Sequence, residues 1–334
     1  MKNYAKKSIA LLCFLTSYCV FAQVKKIKAV GMTVSNMSRS IKFYTEVLGF
    51  QKISDEEFLG TEYEKLENVF GLHVRVVRMK LGDEIIELTD YLTSGGRKIP
   101  EDAKANDLSF QHIAIVVSDM DKAYAQLRKY NVEHVSTAPQ TLPATITAAA
   151  GVKAFYFHDP DNHNLELIYF PNGKGQPKWH THINRKIFLG IDHTAIGISN
   201  TDSSLQFYQT LLGIERKGES FNFGIEQEHL NNVEGASLHI TGLRSPSGPG
   251  IEFLQYLKPS AGKVYPRDTK ADDIWYWQTT LIVDDVISVY SKLKSFHCAF
   301  VSKEVAHLKN RNGKSFKAFI VKDFDGHAML IEED

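Results

Sequence analysis

The 334-residue chain carries 39 basic and 39 acidic side chains, so its formal charge is zero. That balance offers no basic field to hold nucleic acid and no acidic one to attract a cationic partner. The length suits two domains of ordinary size, and 43% hydrophobic residues can build a core in each.

In chain order, the first feature is a basic head with Lys2, Lys6 and Lys7, then an apolar run from Ile9 to Phe21 closing on Ala22-Gln23. This pattern predicts a secretory signal peptide over residues 1–22, cut after Ala22, and a periplasmic or secreted product. The run falls short of the roughly 20 apolar residues a span needs, and Ser17 and Tyr18 interrupt it. A stable membrane anchor is therefore not expected. Thr16-Ser17-Tyr18 also lacks the small, apolar approach of a lipoprotein cysteine at Cys19. Cys13 and Cys19 leave with the signal, and Cys298, alone, reads as a buried structural thiol.

The mature chain is a repeat within a repeat. Val34-Ser35-Asn36-Met37 followed by Phe43-Tyr44 and Leu48-Gly49 returns as Ile198-Ser199-Asn200-Thr201 followed by Phe207-Tyr208 and Leu212-Gly213. Each half then repeats one outline: an apolar strand, a helix, and further strands. Opening strands are predicted at Lys28–Val34, Gln111–Val117, Asp192–Ile198 and Trp277–Val283. Helices follow at Arg39–Glu46, Met120–Lys129, Ser203–Leu211 and Val286–Leu293, where apolar residues recur at helical spacing. The turns Asp159-Pro160-Asp161-Asn162 and Asp323-Phe324-Asp325-Gly326 introduce the last strand of each half. Asn162 and Gly326 suit the left-handed position of such turns. Residues 173–186, with Gly173, Gly175 and Pro177, read as a linker between domains at 24–172 and 187–334.

Four βαβββ units in two tandem pairs, with Phe-Tyr…Leu-Gly after the first strand and Asp-Pro-Asp-Asn-His-Asn-Leu-Glu at residues 159–166, resemble the vicinal-oxygen-chelate superfamily. The resemblance covers essentially all of the mature chain and implies an α+β fold of two glyoxalase-like domains. It constrains the reaction weakly, because this fold hosts isomerases, epimerases, dioxygenases, thiol transferases and metal-free binding proteins.

The resemblance also implies where ligands to a metal would stand: one at the start of each unit's first strand, one on its last strand, with two units facing each other as a cup. Those positions hold Ala29 and Glu87 in the first unit, and His112 and Glu166 in the second. They hold His193 and Glu252 in the third unit, and Gln278 and Leu330 in the fourth. Small neighbours on the same strand face, Ala114 beside His112 and Ala195 beside His193, leave a hollow next to each imidazole. Glu166 and Glu252 sit among apolar strand residues, where a carboxylate is costly unless paired or bound to a metal. Imidazole and carboxylate together suit one divalent ion such as Zn, Ni, Fe, Mn or Co.

Pairing across domains, the arrangement the resemblance implies for glyoxalase I and its fused relatives, gathers His112, Glu166, His193 and Glu252 into one complete set. It leaves Ala29, Glu87, Gln278 and Leu330 as a degenerate second cup. Pairing within the first domain would instead give Glu87, His112 and Glu166. His180 and His182 read as solvated linker histidines, and His163 and His327 as structural turn residues. Trp275, Tyr276 and Trp277 read as core or cup wall.

A divalent ion binding two adjacent oxygens of a small hydroxy-carbonyl substrate acidifies the neighbouring C–H and stabilises the enediolate. The resemblance implies that a ligand carboxylate, Glu166 or Glu252, acts as the base. The expectation is a single-site glyoxalase-like lyase, isomerase or epimerase, and the fused pairs are consistent with a self-sufficient monomer. An extradiol-type ring-cleaving dioxygenase and a metal-free binding or resistance protein stand as alternatives.

Overall fold

The structure, a computed structural model, describes residues 23–181, 186–310 and 312–333. The expected leader over 1–22 and His182 lie outside the described residues.

The first unit comprises β1 (Lys26–Thr33), α1 (Met37–Glu46), β2 (Gln51–Leu59), α2 (Thr61–Glu67), β3 (His73–Leu81) and β4 (Glu84–Tyr91). The second comprises β5 (Gln111–Val117), α3 (Met120–Lys129), β6 (Gln140–Thr141), β7 (Lys153–His158) and β8 (Asn164–Tyr169). The third holds β9 (Phe188–Ile198), α4 (Thr201–Leu205), β10 (Glu215–Phe223), α5 (Ile225–Asn231), β11 (Ser237–Arg244) and β12 (Gly250–Lys258). The fourth holds β13 (Trp277–Val283), α6 (Val286–Ser295), β14 (Ala299–Phe300), β15 (Ala306–Lys309), β16 (Ser315–Lys322) and β17 (Ala328–Glu333). The α1, α3, α4 and α6 helices each start at an Asn or Asp whose side chain accepts a backbone N–H three residues on, which supplies a partner for an otherwise orphaned donor. The helix predicted over Ser203–Leu211 is α-helical only through Leu205, and Gln206–Leu211 winds as a π-turn.

Two sheets result, and each draws strands from both halves of the sequence. One runs β10-β11-β12-β9-β5-β8-β7-β6, the other β14-β16-β17-β13-β1-β4-β3-β2. The antiparallel seam β5–β9 joins the second unit to the third, and β1–β13 joins the first to the fourth. The crossed arrangement is therefore the one built. The convex faces pack differently. Residues of the first two units, including Met32, Tyr44, Ile113 and Leu165, make one apolar core. Residues of the last two, including Ile198, Tyr208, Leu281 and Met329, make another.

Each half is tied at its back by a buried triad. The Tyr44 hydroxyl donates to Asp159 (3.1 Å), which also holds the His163 Nδ1 (2.9 Å). The Tyr208 hydroxyl donates to Asp323 (2.9 Å), which holds the His327 Nδ1 (3.1 Å). The Phe-Tyr signature and the Asp…His turn are thus partners in space, and the turns' left-handed residues are Asn162 (φ 67°) and Gly326 (φ 113°).

The segment expected to be a linker is partly built into the fold. Residues Pro177–His180 form a 3-10 turn, Trp179 is buried, and the His180 ring hydrogen-bonds the Lys174 carbonyl.

Candidate metal centre

Strand register puts the four candidate ligands on one concave face. Ala195 on β9 pairs with His112 on one side and Glu252 on the other. Ala114 on β5 pairs with His193 and Glu166. Because alternate strand residues share a face, the two alanines form the floor between the imidazoles and carboxylates. His112, Glu166 and His193 are buried, and a ligand atom of each lies within 4.8 Å of the others. His112 Nε2 stands 3.1 Å from Glu166 Oε2, and His193 Nε2 3.6 Å from the same oxygen. Glu252 joins through His193, with Oε2 3.3 Å from Nε2, and its side chain is 28% exposed towards the mouth.

Neither imidazole Nε2 makes a hydrogen bond among the described residues. Two buried imidazole nitrogens facing two carboxylates, neither nitrogen engaged in a hydrogen bond among these residues, make a set that fits a divalent cation once both Nε2 atoms are free of protons. Glu87, the ligand of the within-domain alternative, belongs to the other sheet and does not meet His112.

A β-bulge decides the orientation of His193. Ala114 pairs with His193 but Ile115 with Ile191, so Asp192 is the extra residue. Freed from the alternation, Asp192 Oδ2 reaches the His193 Nδ1 at 3.1 Å, which turns Nε2 into the cup. Asp192 is itself held by Arg244 (2.5 Å), Trp179 Nε1 (2.7 Å) and Gln176 (3.1 Å). Burial opposes charge on His193, but Glu252, Asp192 and Glu166 outweigh it and lift the metal-free imidazole to about 9. Burial raises the Glu252 carboxyl above its ordinary range, with His193 opposing and Glu166 adding to the effect.

The second cup is the same framework with other side chains. Gly31 pairs with Gln278 and Glu87, and Thr280 with Ala29 and Leu330. The second cup encloses a cavity of about 300 Å3 lined by Arg78, Glu87, Gln278 and Leu330. Arg78 Nε lies 2.6 Å from Glu87 Oε1, so a guanidinium faces the surviving carboxylate. Its counterpart in the first cup is Gly242, which pairs with Glu252 as Arg78 pairs with Glu87. Burial raises the nearby Glu67 carboxyl to about 7, against hydrogen bonds from Gln278 and Tyr91.

Sequence reasoning named the four residues that meet. It missed Asp192, Arg244 and Trp179, which orient one of them. The only signal was an Asp directly before a strand His, and Trp179 was hidden in a segment rich in glycine and proline.

The sequence profile of the Glyoxalase/Bleomycin resistance protein/Dioxygenase superfamily matches residues 26–167 and again 190–331. The chain belongs to that superfamily. A lactoylglutathione lyase of Schizosaccharomyces pombe is 25% identical over 289 residues, covering 83% of this chain and 88% of that protein. Glyoxalase I of Saccharomyces cerevisiae is 28% identical over 203 residues, and the match spans only 55% of each chain. A 2-epi-5-epi-valiolone epimerase from an Actinomyces species is 29% identical over 149 residues, 43% of this chain and 79% of that one. Glyoxalase I from Zea mays shares the fold, with a TM-score of 0.59, 14% identity and 92% of each chain covered.

Proposed function

We propose that this superfamily member is a divalent-metal-dependent enzyme with one working site, which moves a proton on a small hydroxy-carbonyl compound. The observation that carries the reading is the meeting of His112, Glu166, His193 and Glu252 across the β5–β9 seam, with both Nε2 atoms free of hydrogen bonds among the described residues. These four residues would hold the ion. When bound, a divalent ion polarises two adjacent substrate oxygens and makes the neighbouring C–H acidic.

The chain supplies the base. Glu252 stands at the open side of the cup, its side chain 28% exposed, where a carboxylate can meet a C–H of a bound substrate. Glu166 is more enclosed, against His112. Glu252 takes the proton from carbon, and the electron pair moves toward the carbonyl oxygen. Return of that proton to the adjacent carbon gives an isomer, return to the other face an epimer, and loss of a β-leaving group an elimination product. The leader read over residues 1–22 is the support for placing the reaction outside the cytoplasm, away from glutathione-linked detoxification.

Proton NMR in D2O tests this with dihydroxyacetone and hydroxyacetone. The metal-loaded chain should exchange the C–H beside the carbonyl, and Glu252→Gln should slow exchange at least 100-fold. Absence of exchange with any divalent ion would count against the proposal.

One observation favours a second reading. The tightest cluster is His112, Glu166 and His193, a two-histidine, one-carboxylate set of the kind that holds non-haem Fe(II) in oxygenases. Oxygen uptake by the Fe(II)-loaded chain with a catechol would select ring cleavage over proton transfer.

A further inference from the structure

The wall of the first cup carries a buried polar ladder that ligand placement alone does not require. Asn222 on β10 donates to Gln227 Oε1 (2.9 Å), Gln227 on α5 donates to Asn231, and Asn231 donates to the Tyr256 hydroxyl on β12. All four side chains are buried. Asn222 and Gln227 line the same cavity, of about 410 Å3, as His193 and Glu252. The ladder does not close on itself. Among the described residues Asn222 Oδ1 is buried with no hydrogen-bond partner. A buried amide oxygen left unmatched costs free energy that a ladder with only a structural role would have no reason to retain.

The duplicated unit supplies the contrast. Asn222 pairs with Leu238 and Leu238 with Tyr256, while in the second cup Phe58 pairs with Val74 and Val74 with Tyr91. Along α2, Tyr63 and Glu67 occupy the places that Gln227 and Asn231 take on α5. Phe58 and Tyr63 pack ring on ring, with centroids 4.9 Å apart. One framework thus sets an aromatic pair, Phe58 and Tyr63, where the complete cup has the amides Asn222 and Gln227, while Tyr91 and Glu67 keep a polar contact where Tyr256 and Asn231 make theirs. The facing wall of the complete cup, from the second unit, is apolar, with Leu142, Val152, Ala154 and Ile168.

We infer that the complete cup selects a substrate carrying a hydroxyl beyond its two chelating oxygens, and that the end of the ladder at Asn222 receives it. A hydroxyl both donates and accepts, so it satisfies Asn222 whichever way the amides of the ladder are turned. The substrate class is then a polyhydroxylated carbonyl compound with one polar and one compact apolar flank. A hydrophobic aryl substrate would leave the Asn222 amide unmatched. This rests on the proposed function, because the metal fixes the substrate's other end.

The test uses kojic acid and allomaltol, two hydroxypyranones that chelate through the same adjacent oxygens and differ by one hydroxyl. The purified chain is loaded with Co(II), and both ligands are titrated by calorimetry and by the visible Co(II) spectrum. The native chain should bind kojic acid about tenfold more tightly than allomaltol. Asn222→Leu should abolish that preference in a chain that still holds Co(II). Gln227→Met, which cuts the ladder without removing its end, should reduce it in the same direction. Equal affinity of the native chain for both ligands, or a preference that survives Asn222→Leu in a chain still holding Co(II), overturns the assignment alone. Failure of the native chain to hold Co(II), or to bind either chelator, removes the metal reading and this assignment with it.

Discussion

Replacing Asp192 by Asn removes a charge from a carboxylate that supplies no proposed ligand atom. In the native chain its Oδ2 accepts from His193 Nδ1 and from Arg244, and its Oδ1 from Trp179 and Gln176. With an ion bound, the first of these bonds would keep the proton on Nδ1 and leave the Nε2 electron pair for the ion. A hydrogen bond to a charged group is worth about 1.5–3 kcal/mol, and outer partners of metal-bound histidines typically account for about 10–100-fold in affinity. Asp192→Asn should therefore weaken Zn binding by one to two orders of magnitude, measured by competition with a fluorescent chelator at pH 7.5. Trp179→Phe removes a neutral donor from the other oxygen and leaves the His193 bond intact, so it should lose less than tenfold. Unchanged Zn affinity in Asp192→Asn, with the variant folded, would refute the claim that the bulge orients His193.

Three other outcomes follow from the same structure. Tyr44→Phe and Tyr208→Phe each remove a donor from a buried carboxylate, Asp159 or Asp323, and each should cost about 1.5–3 kcal/mol in urea unfolding without altering metal content. Arg78→Ala strands Glu87 in the second cup. It should destabilise by about 2 kcal/mol, the guanidinium being partly exposed, and Arg78→Ala with Glu87→Ala together should recover most of the loss. In the metal-free chain the His193 pKa is lifted from 6.5 to about 9. The stability this brings is complete below about pH 6.5 and is lost as pH rises through about 9, a change of about 3 kcal/mol that thermal unfolding should show in the native chain but not in His193→Gln.

The parts of this site that were legible in the sequence were those governed by strand periodicity. His112 and His193 open apolar strands beside small residues, Glu166 and Glu252 interrupt apolar strands, and each anomaly is visible in a window of a few residues. The duplicated offset then said which residues are counterparts. The seam itself was a matter of choice between two pairings, because register across β5 and β9 is set by side chains distant in the chain. Bulges are less visible still. Asp192 and its counterpart Lys28 interrupt strand alternation only because a partner strand lacks a matching residue. The helices α2 and α5 are short, at seven residues each, and follow exposed edge strands, so no long periodic run announces them. The amide ladder was hidden for the same reason. Asn222, Gln227 and Asn231 belong to no motif, and their burial follows only from the packing of α5 against the cup.

The central claim is one metal site shared between the two halves of the chain. Metal content of the native chain, His112→Ala and His193→Ala, measured by elemental analysis after repletion and gel filtration, tests it most directly. The account predicts about one ion in the native chain and loss from both variants. Retention of the ion by His193→Ala, or no ion in the native chain after repletion with Zn, Ni, Fe, Mn and Co, would contradict it.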